Sequence, residues 1–196
     1  MDRVRASIPF PGTVRRAERP RVRPGDRDAL GVVNTAVCAV AARRFGVPVP
    51  NVFATLARHR RLFRAWLRFA ARLMPYGTLP RVDAELVILR VAVECGSDYE
   101  WHQHVRLARR AGLSDEQIER VGAGPDALGW TDHQRALLRS VGELTVDRTI
   151  GADTWAALST AYDQTQLIEV CLLIGQYEML AGTLNALGVE PDPIVP

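Results

Sequence analysis

Residues 81–95, RVDAELVILRVAVEC, constrain this chain more than any other stretch. They are apolar nearly all round a helical wheel, so a helix built from them has no face it can leave in water. Such a helix must lie at the centre of a domain with other elements packed around it. Pro80 opens it at a first-turn position, where a missing N–H is tolerated, and Gly96 ends it.

The rest of the chain supplies covering elements of the same type. From Asp26 to Phe45 a helix carries Leu30, Val33, Val37, Val40 and Ala41 at helical spacing, and Gly46-Val-Pro48 stops it. Asn51 can cap a short helix through about Ala57. The next helix, about Arg60 to Met74, gathers Phe63, Trp66, Leu67, Ala70 and Leu73 on one side, with Arg61, Arg64, Arg68 and Arg72 as a solvated stripe opposite. Ser97 caps a helix that ends at Gly112, and the pairs Ser114/Gln117 and Thr131/Gln134 fit the capping box. Asp163 caps a last long helix through about Leu187, which polar Gln176, Glu178 and Asn185 interrupt. No segment alternates with a period of two. The chain therefore reads as one all-α domain over residues 26–196, with seven to nine helices.

Residues 1–25 are different. Seven arginines (3, 5, 15, 16, 19, 21 and 23) stand against Asp2 and Glu18, among Pro9, Pro11, Pro20 and Pro24. The whole chain carries +3, so this segment accounts for the basic excess and residues 26–196 sum to −2. A body so nearly neutral argues against nucleic acid as a partner. The proline content opposes helix, which predicts an extended arm. Ile8, Phe10 and Val14 give it something apolar to dock, so a strap on the body or on a neighbouring subunit is favoured over a phosphate-binding or membrane-surface arm. Charged residues interrupt every hydrophobic stretch, and no apolar run follows the N-terminal arginines, so neither a membrane span nor a secretory signal is expected. Cys38, Cys95 and Cys171 are odd in number and far apart, which fits neither a disulfide framework nor a zinc site and points to a reducing cytoplasm.

The residues that can carry chemistry are polar ones where apolar ones are expected. Glu85 lies inside the most apolar helix. Across the Gly96 turn, Ser97, Glu100 and His104 fall at i, +3 and +7 on one helix face, and Glu100 and His104 are near enough to meet. A carboxylate beside an imidazole orients the ring and makes it a usable acid or base. An antiparallel hairpin about Gly96 can bring Glu85 to that pair. A plainer reading also stands, with Glu100–His104 a surface ion pair and Glu85 satisfied by Arg81 or Arg90. His102 belongs to another face and His133 has no obvious partner. No metal is expected.

The stretch LPRVDAELVILRVAVECGSDYEWHQHVRLARRAGLSDEQIERV resembles the core of the carboxymuconolactone decarboxylase family, which shares its fold with the alkylhydroperoxidase D-like proteins. NVFATLARHRRLFRAWLRFAARLMPYGTLP and IGQYEMLAGTLNALGVE are similar to it as well, so the likeness covers about residues 50–190. It implies an AhpD-like helical bundle. The hydroperoxidase-type branch has a glutamate, then C-x-x-C twelve residues on, then a histidine four after the second cysteine. Glu85 and His104 match, but Ser97 and Glu100 stand where the cysteines would be. A thiol–disulfide relay needs two thiols, so alkylhydroperoxide reductase activity is not expected.

The decarboxylase-type branch has the E-x-x-x-H pair that Glu100 and His104 form here, and its members need no metal or organic cofactor. The resemblance implies acid/base chemistry on a small organic acid, lactone or carbonyl compound. His104 is then the acid or base, Glu100 its orienting carboxylate, and Glu85 a second acid or proton relay. Ser97 donates to a substrate oxygen, Tyr99 and Trp101 help wall the pocket, and Arg81 or Arg90 meets a substrate carboxylate. Two other readings are a non-catalytic ligand-binding or accessory protein on the same scaffold and a redox protein using Cys95 alone. Cys38 and Cys171 read as inert core thiols. The resemblance also implies homo-oligomers, trimers or hexamers, with the site near subunit contacts.

Overall fold

The computed structural model describes residues 7–45 and 49–193. Among them run nine helices: α1 (Arg27–Phe45), α2 (Asn51–Leu56), α3 (Arg60–Leu73), α4 (Arg81–Glu94), α5 (Asp98–Ala111), α6 (Asp115–Ala123), α7 (Asp132–Val146), α8 (Ala152–Ala161) and α9 (Gln164–Leu187). The expected all-α class and its count of helices hold, and the described residues contain no strand. The stop at Gly46-Val-Pro48 and the arginines at 3 and 5 lie outside the described residues.

Helix α4 takes the central place its composition demands. It touches α5, α6, α7 and α9, and Leu86, Val87, Ile88, Leu89, Val91 and Ala92 are all fully buried. One side chain set of α4 packs on α7, α8 and α9 through Ile88, Val91, Leu137, Leu158 and Ile174. Another packs on α5, α6 and α7 through Leu89, Trp101, Ile118 and Leu138. Each fully buried aliphatic side chain of this kind contributes about 1.5–3 kcal/mol. The capping-box signals hold, because they need only local geometry. Ser114/Gln117 and Thr131/Gln134 both form the reciprocal box, and Asp163 forms a third with Gln166.

Two expectations near the N-terminus need correction. Helix α1 is interrupted at Gly31, whose φ of 72° and ψ of 166° leave the helical region. The break frees the carbonyls of Asp28 and Ala29, which accept from the Arg60 guanidinium at 2.5 and 3.0 Å. Past the break the helix buries Asn34, Cys38 and Ala41, while Val33 and Val40 are 60% and 66% exposed. Asn51 is also not the cap of α2. Pro50 holds that position, and the Asn51 side chain donates to the Glu190 carbonyl at 3.0 Å.

The described part of the arm, residues 7–25, is non-helical and lies on the body. Ile8 is buried, its carbonyl accepts from the Trp101 indole at 3.1 Å, and Phe10 meets the Trp101 ring edge-on at 6.0 Å. Farther along, Ala17 donates to Asn185 and Arg21 to Leu187, both through backbone N–H groups, and Arg16 pairs with Asp98 at 3.3 Å. Val14, expected to dock, is exposed. Helix α9 also departs from the expectation that no stretch could span a bilayer. Its 24 residues are long and apolar enough by length and composition, and half of that window is buried against the other helices.

The loop between α3 and α4 fixes where α4 begins. The Glu169 carboxylate on α9 accepts from the Thr78 N–H and hydroxyl, both at 2.7 Å, and from the Leu79 N–H at 3.1 Å. Gly77 makes that approach possible, since a Cβ there would lie 2.1 Å from Glu169 Oε1 and 2.5 Å from the Leu73 carbonyl. Replacing Glu169 by Ala leaves the buried Leu79 N–H unmet, while the Thr78 donors can turn to water. A urea melt of Glu169→Ala is expected to show a loss of about 1–3 kcal/mol, whereas an unchanged midpoint would mean the loop holds α4 without it.

Candidate active site

A cavity of about 640 Å³ opens between α1, α2, α3, α5 and α9. Along α5, Glu100, Gln103, His104 and Leu107 line it, a stripe at helical spacing, and Arg81 enters from the first turn of α4. Helix α4 runs back along α5 through the Gly96 turn, which places Glu85 behind His104. The imidazole Nδ1 lies 2.7 Å from Glu85 Oε2, and both groups are buried. Arg81 grips the other oxygen, with Nε at 2.9 Å and Nη2 at 2.7 Å from Glu85 Oε1. Glu85 Oε1 accepts from Arg81, and with Oε2 accepting from the imidazole the proton of a neutral ring sits on Nδ1. That leaves Nε2 as the lone-pair nitrogen of a residue in the cavity wall.

The partner of His104 is thus Glu85 and not Glu100. Glu100 is 2% exposed, yet neither carboxyl oxygen has a hydrogen-bond partner. Burial pushes its pKa well above the usual carboxylate range; the Ser97 hydroxyl opposes this weakly without reaching hydrogen-bond geometry. An unpartnered carboxyl in such surroundings keeps its proton. Two glutamates at one site therefore stand in different surroundings, one held by Arg81 and His104 and one with no hydrogen-bond partner.

The other expected site residues divide between wall and framework. Tyr99 lines the cavity, and its hydroxyl donates to Asp192 at 3.0 Å and accepts from the Val52 N–H at 3.2 Å. Asp192 also takes the Asn51 N–H at 2.7 Å and the Gln103 amide, so it clasps α2 to α5. Ser97 is fully buried at the N-cap of α5, where it accepts from the Glu100 N–H at 3.5 Å, and it is not among the lining residues. Trp101 faces the arm, on the side of α5 away from the cavity. Arg90 is committed to the Val121 carbonyl at 3.0 Å and to Glu94, and it does not line the cavity. Helical spacing carries 81 and 85 to the site and turns 90 aside.

Sequence reasoning missed Tyr177, whose ring meets His104 edge-on at 5.1 Å and 89°. It also missed Arg110, which lines the cavity mouth from the last turn of α5. Gln176 left a signal as a polar residue in an apolar helix, and it does line the cavity with its carbonyl oxygen unpartnered. His133, expected to be alone, lies 3.6 Å from Asp83, which accepts from the Tyr162 hydroxyl at 2.8 Å; this cluster is remote from the cavity lining. The Cys95 thiol is pushed up to about 11, chiefly by burial, with Arg15 opposing. Among the described residues, no three His, Cys, Asp or Glu side chains are grouped to hold a metal ion.

The all-helical arrangement is that of the AhpD-like fold. Residues 60–142 match the model of the carboxymuconolactone decarboxylase family. No curated protein sequence matches the chain. Among solved structures it is similar to the AhpD core of an uncharacterised peroxidase-related protein from Ralstonia eutropha JMP134, at 18% identity and a TM-score of 0.79 over 90% of this chain and 94% of that one. A peroxidase-related protein from Silicibacter sp. TM1040 is similar at 16% identity and a TM-score of 0.79, over 92% and 96%. The debrominase Bmp8, solved in complex with 2,3,4-tribromopyrrole, is similar at 14% identity and a TM-score of 0.75, over 90% and 94%.

Two measurements probe this electrostatic picture. Below about pH 4.3 the folded and unfolded chains both hold the Glu100 proton; above it the unfolded chain releases a proton that the folded one retains, so stability falls as pH rises. Thermal melts are expected to show Glu100→Gln gaining on the parent protein from pH 5 to 8, by at most about 1.4 kcal/mol per pH unit. A gap independent of pH would mean that Glu100 is ionised in the fold. For Cys95, thiol titration with a disulfide reagent at pH 7.5 should be far slower in the folded chain than in urea, because little thiolate is present.

Proposed function

We propose that this protein is a carboxymuconolactone decarboxylase-like enzyme that moves protons at carbon in a small organic acid, lactone or carbonyl compound. One observation carries the reading: a cavity wall holds both His104, backed by the Arg81–Glu85 pair, and Glu100, a buried carboxyl with no partner. His104 Nε2 acts as the base that removes a proton next to a carbonyl, and Glu85 stabilises the imidazolium that forms. Glu100 supplies its proton to the carbanion or enolate left behind, whether a proton or carbon dioxide has departed. The exclusion of water strengthens each of these interactions.

This division of labour reverses the roles expected for the two glutamates, with Glu85 the orienting group and Glu100 the second acid. A thiol mechanism has less support. Solved proteins with this fold include peroxidase-related proteins and a debrominase, so the fold alone does not choose the chemistry. The thiol of Cys95 is held protonated, and Ser97 and Glu100 occupy the positions of a relay.

The test follows deuterium from heavy water into the carbon adjacent to the carbonyl of a panel of carboxylated γ-lactones and β-keto acids, by proton NMR, with carbon dioxide release measured in parallel. His104→Ala is expected to lower exchange by about 100-fold or more while its circular dichroism stays that of the parent. Exchange at the parent rate in that variant, or none in the parent on any member of the panel, would leave the scaffold as a binding or accessory protein.

A further inference from the structure

We propose that the cavity takes an amphiphilic mono-acid, an apolar body of about two rings with one anionic end, and not a compact diacid; this rests on reading the cavity as the active site. Three features of the cavity point there. Its volume of about 640 Å³ falls within the range of pockets that enclose drug-sized ligands, about 300–1,000 Å³. Its wall is largely aliphatic and aromatic, with Val52, Phe53, Trp66, Leu67, Leu107 and Leu180 among the lining residues. A diacid there would give up the hydration of two carboxylates and leave those surfaces without apolar contact.

The charges are placed for one anion. Arg81 is neutralised by Glu85, so it adds no net positive charge to the wall. Glu100 is neutral for the reason already given. Arg110 is the remaining cation of the lining, exposed at the mouth and without an ion-pair partner among the described residues. It lies six residues beyond His104 on α5, about 9 Å at 1.5 Å per residue. A ligand whose acid group meets Arg110 therefore reaches His104 with the far end of a body about two fused rings long. The aromatic residues of the wall, Phe53, Trp66 and Tyr99, suit ring faces.

Calorimetry on the full chain at pH 7.5 with 2-naphthoate, 2-naphthol and adipate tests the assignment. The parent is expected to bind both naphthalenes at micromolar concentration and adipate about 100-fold more weakly. Arg110→Ala is expected to weaken 2-naphthoate by about tenfold, the loss of one charged contact, and to leave 2-naphthol within about twofold. Adipate binding as tightly as 2-naphthoate, no binding of 2-naphthoate, or an equal loss for acid and alcohol in Arg110→Ala would each overturn it. The outcome is separate from that of the proton-transfer reading. Naphthoate binding by a parent protein that exchanges no member of the lactone and keto-acid panel would remove the proton-transfer reading alone. Exchange on small lactones without naphthoate binding would remove the ligand assignment alone.

Discussion

Everything at the site depends on how one buried charge is compensated. Glu85 has no exposure at all, and it lies in the helix that the domain is built around. An isolated carboxylate there would be prohibitive, and a carboxylate that lost its partners would either take up a proton or unfold its surroundings. Arg81, one turn earlier on the same helix, and His104, across the Gly96 turn, occupy its two oxygens separately. Because one partner is local and the other is not, the same carboxylate that sets the histidine tautomer also locks the α4–α5 hairpin. The site and the core are joined through a single side chain.

The same scaffold puts a second carboxyl in similar surroundings and treats it in the opposite way. Neither Glu100 oxygen has a hydrogen-bond partner. Burial is then the largest influence on it and pushes its pKa well above the usual carboxylate range, with Ser97 opposing weakly. Two acids of equal intrinsic strength are split into a permanent base partner and a proton carrier by nothing more than what stands next to each. Cys95 follows the same logic, since burial holds its proton in place and leaves it without nucleophilic character.

The remaining framework keeps the cavity open and its walls fixed. Glu169 pins the entry to α4, Asp192 clasps α2 against α5, and Trp101 anchors the arm on the side of α5 away from the cavity. These are long-range contacts made by polar groups whose partners lie ninety or more residues distant in the case of Glu169, Asp192 with Tyr99, and Trp101 with Ile8. They account for why an otherwise apolar bundle carries so many buried hydrogen bonds between distant segments.

What was legible in the sequence is what depends on near neighbours. The apolar girth of residues 81–95 required a central helix, the capping boxes at Ser114, Thr131 and Asp163 required helix starts, and the departures at Ser97 and Glu100 spoke against a two-thiol relay. The spacing of Glu85, Glu100 and His104 marked the right residues. It could not say which carboxylate His104 would choose, because an i,i+4 pair and a contact across a turn are equally short until the helices are packed. Trp101 and Arg90 went to the wrong side for the same reason, since helical phase relative to a cavity is unknown before there is a cavity. Gly31, read as part of a continuous α1, acquired its break only with Arg60 to satisfy the freed carbonyls. Local chemistry determined the elements and the reactive groups. Tertiary packing decided which of those groups face each other, and with that which one holds a charge and which one holds a proton.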